Sequence, residues 1–342
     1  MIEIDGSFGE GGGQVLRTAL GLSLVTGRPF RIGNIRAGRK RPGLLRQHLT
    51  AVQAAVAVAS ADVSGAAMGS REVTFAPREI RSGNYSFSIG TAGSTTLILQ
   101  TILPALIVAP GPSTVVLEGG THNPFAPPFD FLAKAFLPLL ARMGAEVSAT
   151  LERPGFYPAG GGKLRFEISP AEKLGRLDLT ERGAIIRRAG RALVANLPPK
   201  IADRELNVIG RKMSWGKDSL YKEAISNSAG PGNIVLIELE SENVTEVFTG
   251  FGERGLPAET VANEAIRAAR RYLAADLPVG EYLANQLLLP MAIGGGGTFI
   301  TQPLSRHSVT NMEVIRLFLG HDVLAASREE NRVRVDIAPR TI

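Results

Sequence analysis

The chain has 342 residues, a net charge of +6, 20% charged and 44% hydrophobic residues, and no cysteine. That length and balance describe a globular protein with room for a large core or two domains, and they exclude disordered and fibrous classes. Without cysteine, disulfide frameworks, thiolate zinc sites and thiol nucleophiles are all excluded, so any chemistry uses other side chains.

No apolar stretch reaches the roughly 18 residues of a membrane helix. The best run, residues 95–110, is broken by Gln100 and Pro104. The first residues already carry Glu3, Asp5 and Glu10, unlike a secretory signal, so a cytoplasmic protein is expected.

The first feature in chain order is a glycine loop, Gly6, Ser7, Phe8, Gly9, Glu10, Gly11, Gly12 and Gly13, running into a helix over 13–25. Glycines let backbone N–H groups turn toward an anion and a helix start adds partial positive charge, which points to phosphate; a plain tight turn is the alternative. The loop misses the dinucleotide fingerprint, because Gln14 stands where a third glycine belongs and no strand of adequate length precedes it. A phosphate-binding Walker loop fails as well, since Gly216 and Lys217 are followed by Asp218.

A strand over 30–35 leads into a basic turn. Residues 28–46 hold Arg28, Arg31, Arg36, Arg39, Lys40, Arg41 and Arg46 with no acid among them, which leaves the rest of the chain at −1. Such a cluster fits phosphate, gripped bidentately by guanidinium groups, or a solvated surface run. A helix with Leu45, Leu49, Val52 and Val56 on one face follows, then a polar strand opened by Asp62 and Val63.

The same order recurs twice. A helix over 92–108, a strand over 114–118 and a helix bearing Phe129, Leu132, Phe136, Leu139 and Met143 lead to Glu146 and Val147. A helix over 281–292, a strand over 298–301 and a helix bearing Met312, Ile315 and Leu319 lead to Asp322 and Val323. The pattern predicts three repeats of helix, strand, helix, strand, strand. Asp62 to Glu146 spans 84 positions and Glu146 to Asp322 spans 176, so 92 extra residues lie in the second interval. Between about 181 and 277 we read an inserted α/β module: a strand over 184–194, a helix after Pro199, a strand pair over 234–239 and 244–249 turning at Ser241, Glu242 and Asn243, and a helix over 258–274.

Of the four histidines, His307 has the setting that suits catalysis, beside Arg306 in the turn between the strand and second helix of the third repeat. By position this turn corresponds to the basic turn of the first repeat, so the repeat symmetry can bring both to one face. A neighbouring cation favours the neutral, nucleophilic imidazole. His48 lies beside an apolar helix face, His321 at a helix end and His122 in a proline-rich turn. No histidine pair has metal-ligand spacing.

Eight segments together resemble the RNA 3′-terminal phosphate cyclase family: EGGGQVLR from residue 10, IRAGRKRPGLLRQHLTAV from 35, the tract 90–104, GGTHNPFAPP from 119, GFYPAGGG from 155, GPGN from 230, VGEYLANQLLLPMA from 279, and the His307 turn. The resemblance spans nearly the whole chain and implies an α/β fold: a large domain of three helix-strand repeats, related to the enolpyruvate transferases, over 1–180 and 278–342. A smaller thioredoxin-like α/β domain over 181–277 is inserted in it. It also implies conversion of an RNA 3′-phosphate end to a 2′,3′-cyclic phosphate, with ATP as co-substrate and AMP carried on a histidine.

Carried over residue by residue, His307 is the nucleophile and Glu10 the ligand of a divalent metal, Mg²⁺ or Mn²⁺. Arg17, Arg36, Arg39 and Gln47 are expected to grip phosphates. Gln100, Pro127, Tyr282, Leu283, Ala284, Asn285 and Gln286 are expected to form the nucleotide pocket, with Tyr282 and Pro127 against adenine. The family pattern has aspartate where this chain has Asn285, and an amide supplies neither a negative charge nor a base. We therefore expect activity to survive with a different metal dependence. Two other readings compete: a non-catalytic RNA-binding relative that helps process ribosomal RNA, and a carboxyvinyl transferase. His307 with Arg306 and Gln100 argues for catalysis, and a carboxyvinyl transferase needs neither His307 nor the concentrated basic turn.

Overall fold

A computed structural model describes residues 1–340 as a mixed α/β fold with four four-stranded sheets. The first sheet is formed by β1 (Ile2–Asp5), β2 (Phe30–Gly33), β3 (Asp62–Ser64) and β4 (Val73–Ala76), with α1 (Gln14–Thr26) between β1 and β2 and α2 (Arg46–Ala59) between β2 and β3. Its order is β1-β2-β4-β3, the first pair parallel and the others antiparallel. A parallel pair cannot be joined by a tight hairpin, and α1 is the crossover that this one requires.

The second sheet has β5 (Asn84–Ser88), α3 (Thr95–Leu106), β6 (Ser113–Gly119), a helical segment, β7 (Glu146–Arg153) and β8 (Gly162–Ser169). That segment is α4 (Phe129–Phe131) and α5 (Leu137–Arg142) joined by a π-helical turn, Leu132–Phe136. The order β5-β6-β8-β7 repeats the pattern, with β5 and β6 parallel.

Next comes β9 (Leu177–Leu179), but its sheet is completed only after a different one. That intervening sheet comprises β10 (Ile185–Ala195), α6 (Lys200–Met213), β11 (Leu220–Ile225), β12 (Gly232–Ser241), β13 (Thr245–Phe251) and α7 (Ala258–Ala275), in the strand order β11-β10-β12-β13. The chain then forms α8 (Glu281–Ala292), β14 (Gly297–Thr301), α9 (Arg306–Leu319), β15 (Leu324–Glu329) and β16 (Arg332–Ile337). β14 pairs parallel with β9 and antiparallel with β16, and β16 pairs antiparallel with β15.

One continuous apolar core joins the three sheets with the β9-type parallel pair, and a second lies between the β10–β13 sheet and the helices α6 and α7, with Ile209, Ile237, Val261 and Tyr272 among its members. α1 is buried on almost every side, as its sequence LGLSLV predicts for a helix with no polar face. It packs across α3 and α8 at Gly21, where a Cβ would lie 3.2 Å from the Thr101 carbonyl and 3.4 Å from the Pro104 ring. α3 and α8 are both twelve residues long with proline at the tenth, Pro104 and Pro290. Gln100 and Gln286 are the sixth residue of each, and they bond one another at 3.0 Å.

The helices lie close to where their periodicity predicts, with several departures among the strands. β1, β5, β9 and β11 were not anticipated, and β1 supplies a short strand before the glycine loop. In the third unit Asp322 and Val323 fall in a 3₁₀ turn, and β15 opens one residue later at Leu324. Among the described residues no helix is long and apolar enough to cross a membrane.

Candidate active site

The site forms where the glycine loop, the basic turn and the first turn of α9 meet. His307 is the second residue of α9, inside the helix and not in the turn before it. Ser305 caps that helix, its hydroxyl accepting the Ser308 N–H at 3.2 Å. The His307 side chain is half exposed, at 55%. Its Nδ1 lies 2.9 Å from Oε1 of Gln14, which can only accept, so Nδ1 carries the proton and Nε2 keeps a free lone pair.

Behind the imidazole runs a chain of amides. Gln14 Nε2 donates to Asn285 Oδ1 at 2.9 Å, Asn311 Nδ2 donates to the same oxygen at 3.2 Å, and Thr18 donates to Asn311 Oδ1 at 2.8 Å. Asn285 therefore orients the group that orients His307. This network was not legible from sequence, although Gln14 stands directly after the glycines.

In front stands Glu10, 3.7 Å from Nδ1 of His307 and 2.5 Å from the Arg39 guanidinium. The acid thus stands within ion-pair distance of the imidazole, while Arg306 donates to the Gly9 carbonyl at 2.9 Å. Glu10 N–H is held by Thr310 Oγ1 at 3.2 Å, so α9 clamps the glycine loop at two points. Gly9 adopts φ +63, and a Cβ there would strike Thr310 at 2.1 Å, which explains glycine at this position.

Arg17 lies half-buried below the loop and donates to Gln100 Oε1 at 3.2 Å. Burial pulls it down to about 10, against the attraction of Glu10. His48, expected on an apolar face, instead turns toward the loop: a Cβ on Gly13 would come within 2.4 Å of its Nε2 and 2.8 Å of Arg17. Its Nδ1 accepts the Leu45 N–H at 3.3 Å. Burial, then Arg17 and Arg36, pull its imidazole down to about 3, so it is neutral at any working pH.

The other expected residues divide. Arg36, at φ +56, folds back on the carbonyls of Arg41 and Gly43 at 2.6 and 2.8 Å and so braces the basic turn. Burial and Arg39 pull it below the usual guanidinium value. Gln47 uses its carbonyl to accept the Ser94 N–H at 2.7 Å at the start of α3. Pro127 accepts from the Thr96 hydroxyl at 2.7 Å. Tyr282 is 68% exposed on the first turn of α8, whereas Leu283 and Ala284 are buried. Asn285 and Gln286, with Gln100, line a cavity of about 30 Å³. Gln100 and Gln286 bond one another, Asn285 accepts from Gln14, and Gln100 accepts from Arg17, so all three are joined to the residues beneath the imidazole.

Among the described residues no three His, Asp or Glu side chains gather to cage a metal. A single carboxylate, Glu10, matches a hard cation that takes its remaining oxygens from phosphates.

A free imidazole nitrogen, one acid and a rim of guanidinium groups make a reactive site for anionic substrates. The family model described as RNA 3′-terminal phosphate cyclase matches residues 8–324. Proteins named RNA 3′-terminal phosphate cyclase from Koribacter versatilis and Ralstonia nicotianae are each 54% identical, over 99% and 98% of this chain and 96% and 97% of theirs. One of that name from Ectopseudomonas mendocina is 49% identical over 98% of both chains. The chain belongs to the RNA 3′-terminal phosphate cyclase family and is an enzyme.

Proposed function

We propose that the enzyme converts an RNA 3′-phosphate to a 2′,3′-cyclic phosphate at the expense of ATP, with His307 carrying AMP between the two. The observation that carries this reading is the Gln14 contact to Nδ1, which leaves Nε2 as the one ring nitrogen with a lone pair, on a half-exposed ring beside Glu10 and Arg39.

In the first step Nε2 attacks the α-phosphorus of ATP, the bond from that phosphorus to the α,β-bridging oxygen breaks and pyrophosphate leaves. Gln14 keeps the Nδ1 proton in place while positive charge develops on the ring. Arg39 and the half-buried Arg17 offset charge on the phosphates, and the N–H groups of the glycine loop add to them. Glu10 is the residue that would hold a divalent cation, which when bound neutralises the departing pyrophosphate. In the second step an oxygen of the RNA 3′-phosphate attacks the phosphorus of the adduct, and the P–N bond breaks with its electron pair returning to Nε2. In the third the adjacent 2′-hydroxyl attacks the RNA phosphorus, its proton is lost and AMP departs, a closure favoured by proximity. DNA ends lack that hydroxyl and are expected to stop at the adenylated product.

Three repeats over 1–180 and 278–342, with a thioredoxin-like unit over 181–277 between them, complete the reading. The recurrence of one strand order in three sheets, and the interruption of the third by the β10–β13 sheet, support it.

ATP labelled at the α-phosphate tests the mechanism. An acid-labile, protein-bound label that is absent from His307→Ala is expected. An unlabelled wild-type chain that nevertheless cyclises RNA ends would remove His307 from the chemistry, and one that does neither would favour a non-catalytic RNA-binding role.

A further inference from the structure

Glu246, the second residue of β13, belongs to the sheet that takes no part in the site, yet it reaches the helix that does. Its carboxyl group is buried, with the residue 2% exposed, and Oε1 accepts the backbone N–H of Gly280 at 2.6 Å. Gly280 is the N-cap residue of α8 and has no side chain with which to cap its own helix. In a capping box a glutamate within the helix reaches back to the N–H of the N-cap residue. Here a carboxyl from another sheet takes that role.

The fit is tight. A Cβ on Gly280 would stand 2.9 Å from Oε1 and 3.0 Å from Cδ of Glu246, so the glycine and the acid occupy the space together. The residue before, Val279, is fixed from the opposite side by its N–H to the Ile300 carbonyl at 3.2 Å. The entry to α8 is thus held between β14 and β13. Burial pushes the Glu246 carboxyl up to about 8, against the pull of the Gly280 N–H, so the neutral acid prevails at pH 7 and its carbonyl oxygen is the acceptor. Tyr272 stands next to it, donating to the Pro278 carbonyl at 2.9 Å, with Arg182 over the Tyr272 ring.

The same pair of strands is anchored a second time. Glu238 on β12 accepts from Lys134 on the π-helical turn at 2.5 Å and from Arg191 at 2.9 Å, and Arg191 also pairs with Asp130 on α4. The β12–β13 hairpin is thus tied both to the start of α8 and to the helical segment that begins at α4.

We infer that Glu246 is a positioning residue for nucleotide binding: it sets the first turn of α8, which presents Tyr282 and leads to Asn285, so that the β10–β13 sheet governs how tightly ATP is held without touching it. The inference rests on the cyclase reading above.

The test uses the full chain with Glu246→Leu and Glu246→Gln, following the rate of labelled adduct formation against ATP concentration. A parallel measurement follows transfer of AMP from preformed adduct to a 3′-phosphorylated oligonucleotide. Glu246→Leu is expected to raise the KM for ATP about tenfold or more, with kcat for adduct formation and the transfer rate within about threefold of wild type. Glu246→Gln keeps a carbonyl acceptor and is expected to restore KM to within about twofold. Wild-type KM in both variants, or equal loss in both, overturns the inference. If Glu246→Leu does not fold, Gly280→Ala presses on the same contact from the other side and is expected to raise KM likewise; an unchanged KM there overturns it. Failure of the wild-type chain to form adduct would overturn the cyclase reading itself, a result distinct from an adduct that forms with unaltered KM.

Discussion

The amide oxygen of Gln14 lies 2.9 Å from Nδ1 of His307, and the amide nitrogen of the same side chain lies 2.9 Å from Oδ1 of Asn285. One side chain from the start of α1 thereby selects the tautomer of an imidazole on α9 and takes its own orientation from α8. Gln14→Leu removes both bonds, and a lost hydrogen bond of about 1–3 kcal/mol corresponds to roughly 5- to 150-fold in rate. The expected result is a fall of that size in adduct formation with little change in the KM for ATP, read by single-turnover labelling. Wild-type rates in Gln14→Leu would show that the tautomer is set by something else.

Asn285 accepts with one oxygen from two donors, Gln14 and Asn311, and a carboxylate accepts from both equally well. Asn285→Asp is therefore expected to fold with a thermal midpoint within about 3 °C of wild type, on the order of 2 kcal/mol for a chain of this size. The added charge lies one side chain away from the imidazole and would add to the field acting on a cation at Glu10 in the proposed reaction. Adduct formation is expected to reach half-saturation at a lower Mg²⁺ or Mn²⁺ concentration. An unaltered metal titration would count against any metal near this position.

Arg17 is a half-buried cation that donates to the neutral amide of Gln100. Desolvating a charge without an opposite charge in contact is costly, so Arg17→Met is expected to leave the urea midpoint unchanged or raised. The same variant is expected to lose roughly 100-fold or more in adduct formation, since a desolvated guanidinium interacts strongly with phosphate. Arg17→Lys should fall between, because an ammonium lacks the bidentate fork. Loss of both stability and activity in Arg17→Met would point to a packing role.

Two buried groups give opposite pH dependences to stability. Glu246 is raised from 4.5 to about 8, so it binds its proton more tightly folded than unfolded. Its contribution is full below pH 4.5 and is lost as pH rises through about 8. His48 is lowered from 6.5 to about 3, so its contribution is present above pH 6.5 and is lost as pH falls through about 3. Urea unfolding at pH 5, 7 and 9 is expected to show Glu246→Gln losing less stability toward pH 9 than wild type, by roughly a few kcal/mol at most. Glu205, raised to about 7 by burial, retains part of the slope in that variant. Parallel curves for the two proteins would refute the assignment to Glu246.

The helices were legible because each carries a long apolar face with a period near 3.6, and the glycine loop, Arg39 and His307 because charge and glycine concentrate there. The opening strands were not. β1 and β9 are four and three residues long, too short to show alternation, and β11 is a polar edge strand, LYKEAI. The supporting residues of the site were missed for another reason. Gln14, Asn311 and Thr18 are neutral polar residues on otherwise buried helices, and what they do depends on partners 271 to 293 positions away. One signal was present and went unread: glutamine four residues before proline in both α3 and α8, which places Gln100 and Gln286 opposite one another.

Glu10 to Thr310, Gln14 to His307 and Arg28 to Phe318 stitch the beginning of the chain to its last helix. During synthesis the basic cradle therefore emerges from the ribosome long before the imidazole that would work in it. An incomplete chain has the guanidinium groups of the basic turn without the histidine. Proteolytic removal of the segment from residue 305 onward takes away α9, β15 and β16, and with them both points at which α9 holds the glycine loop.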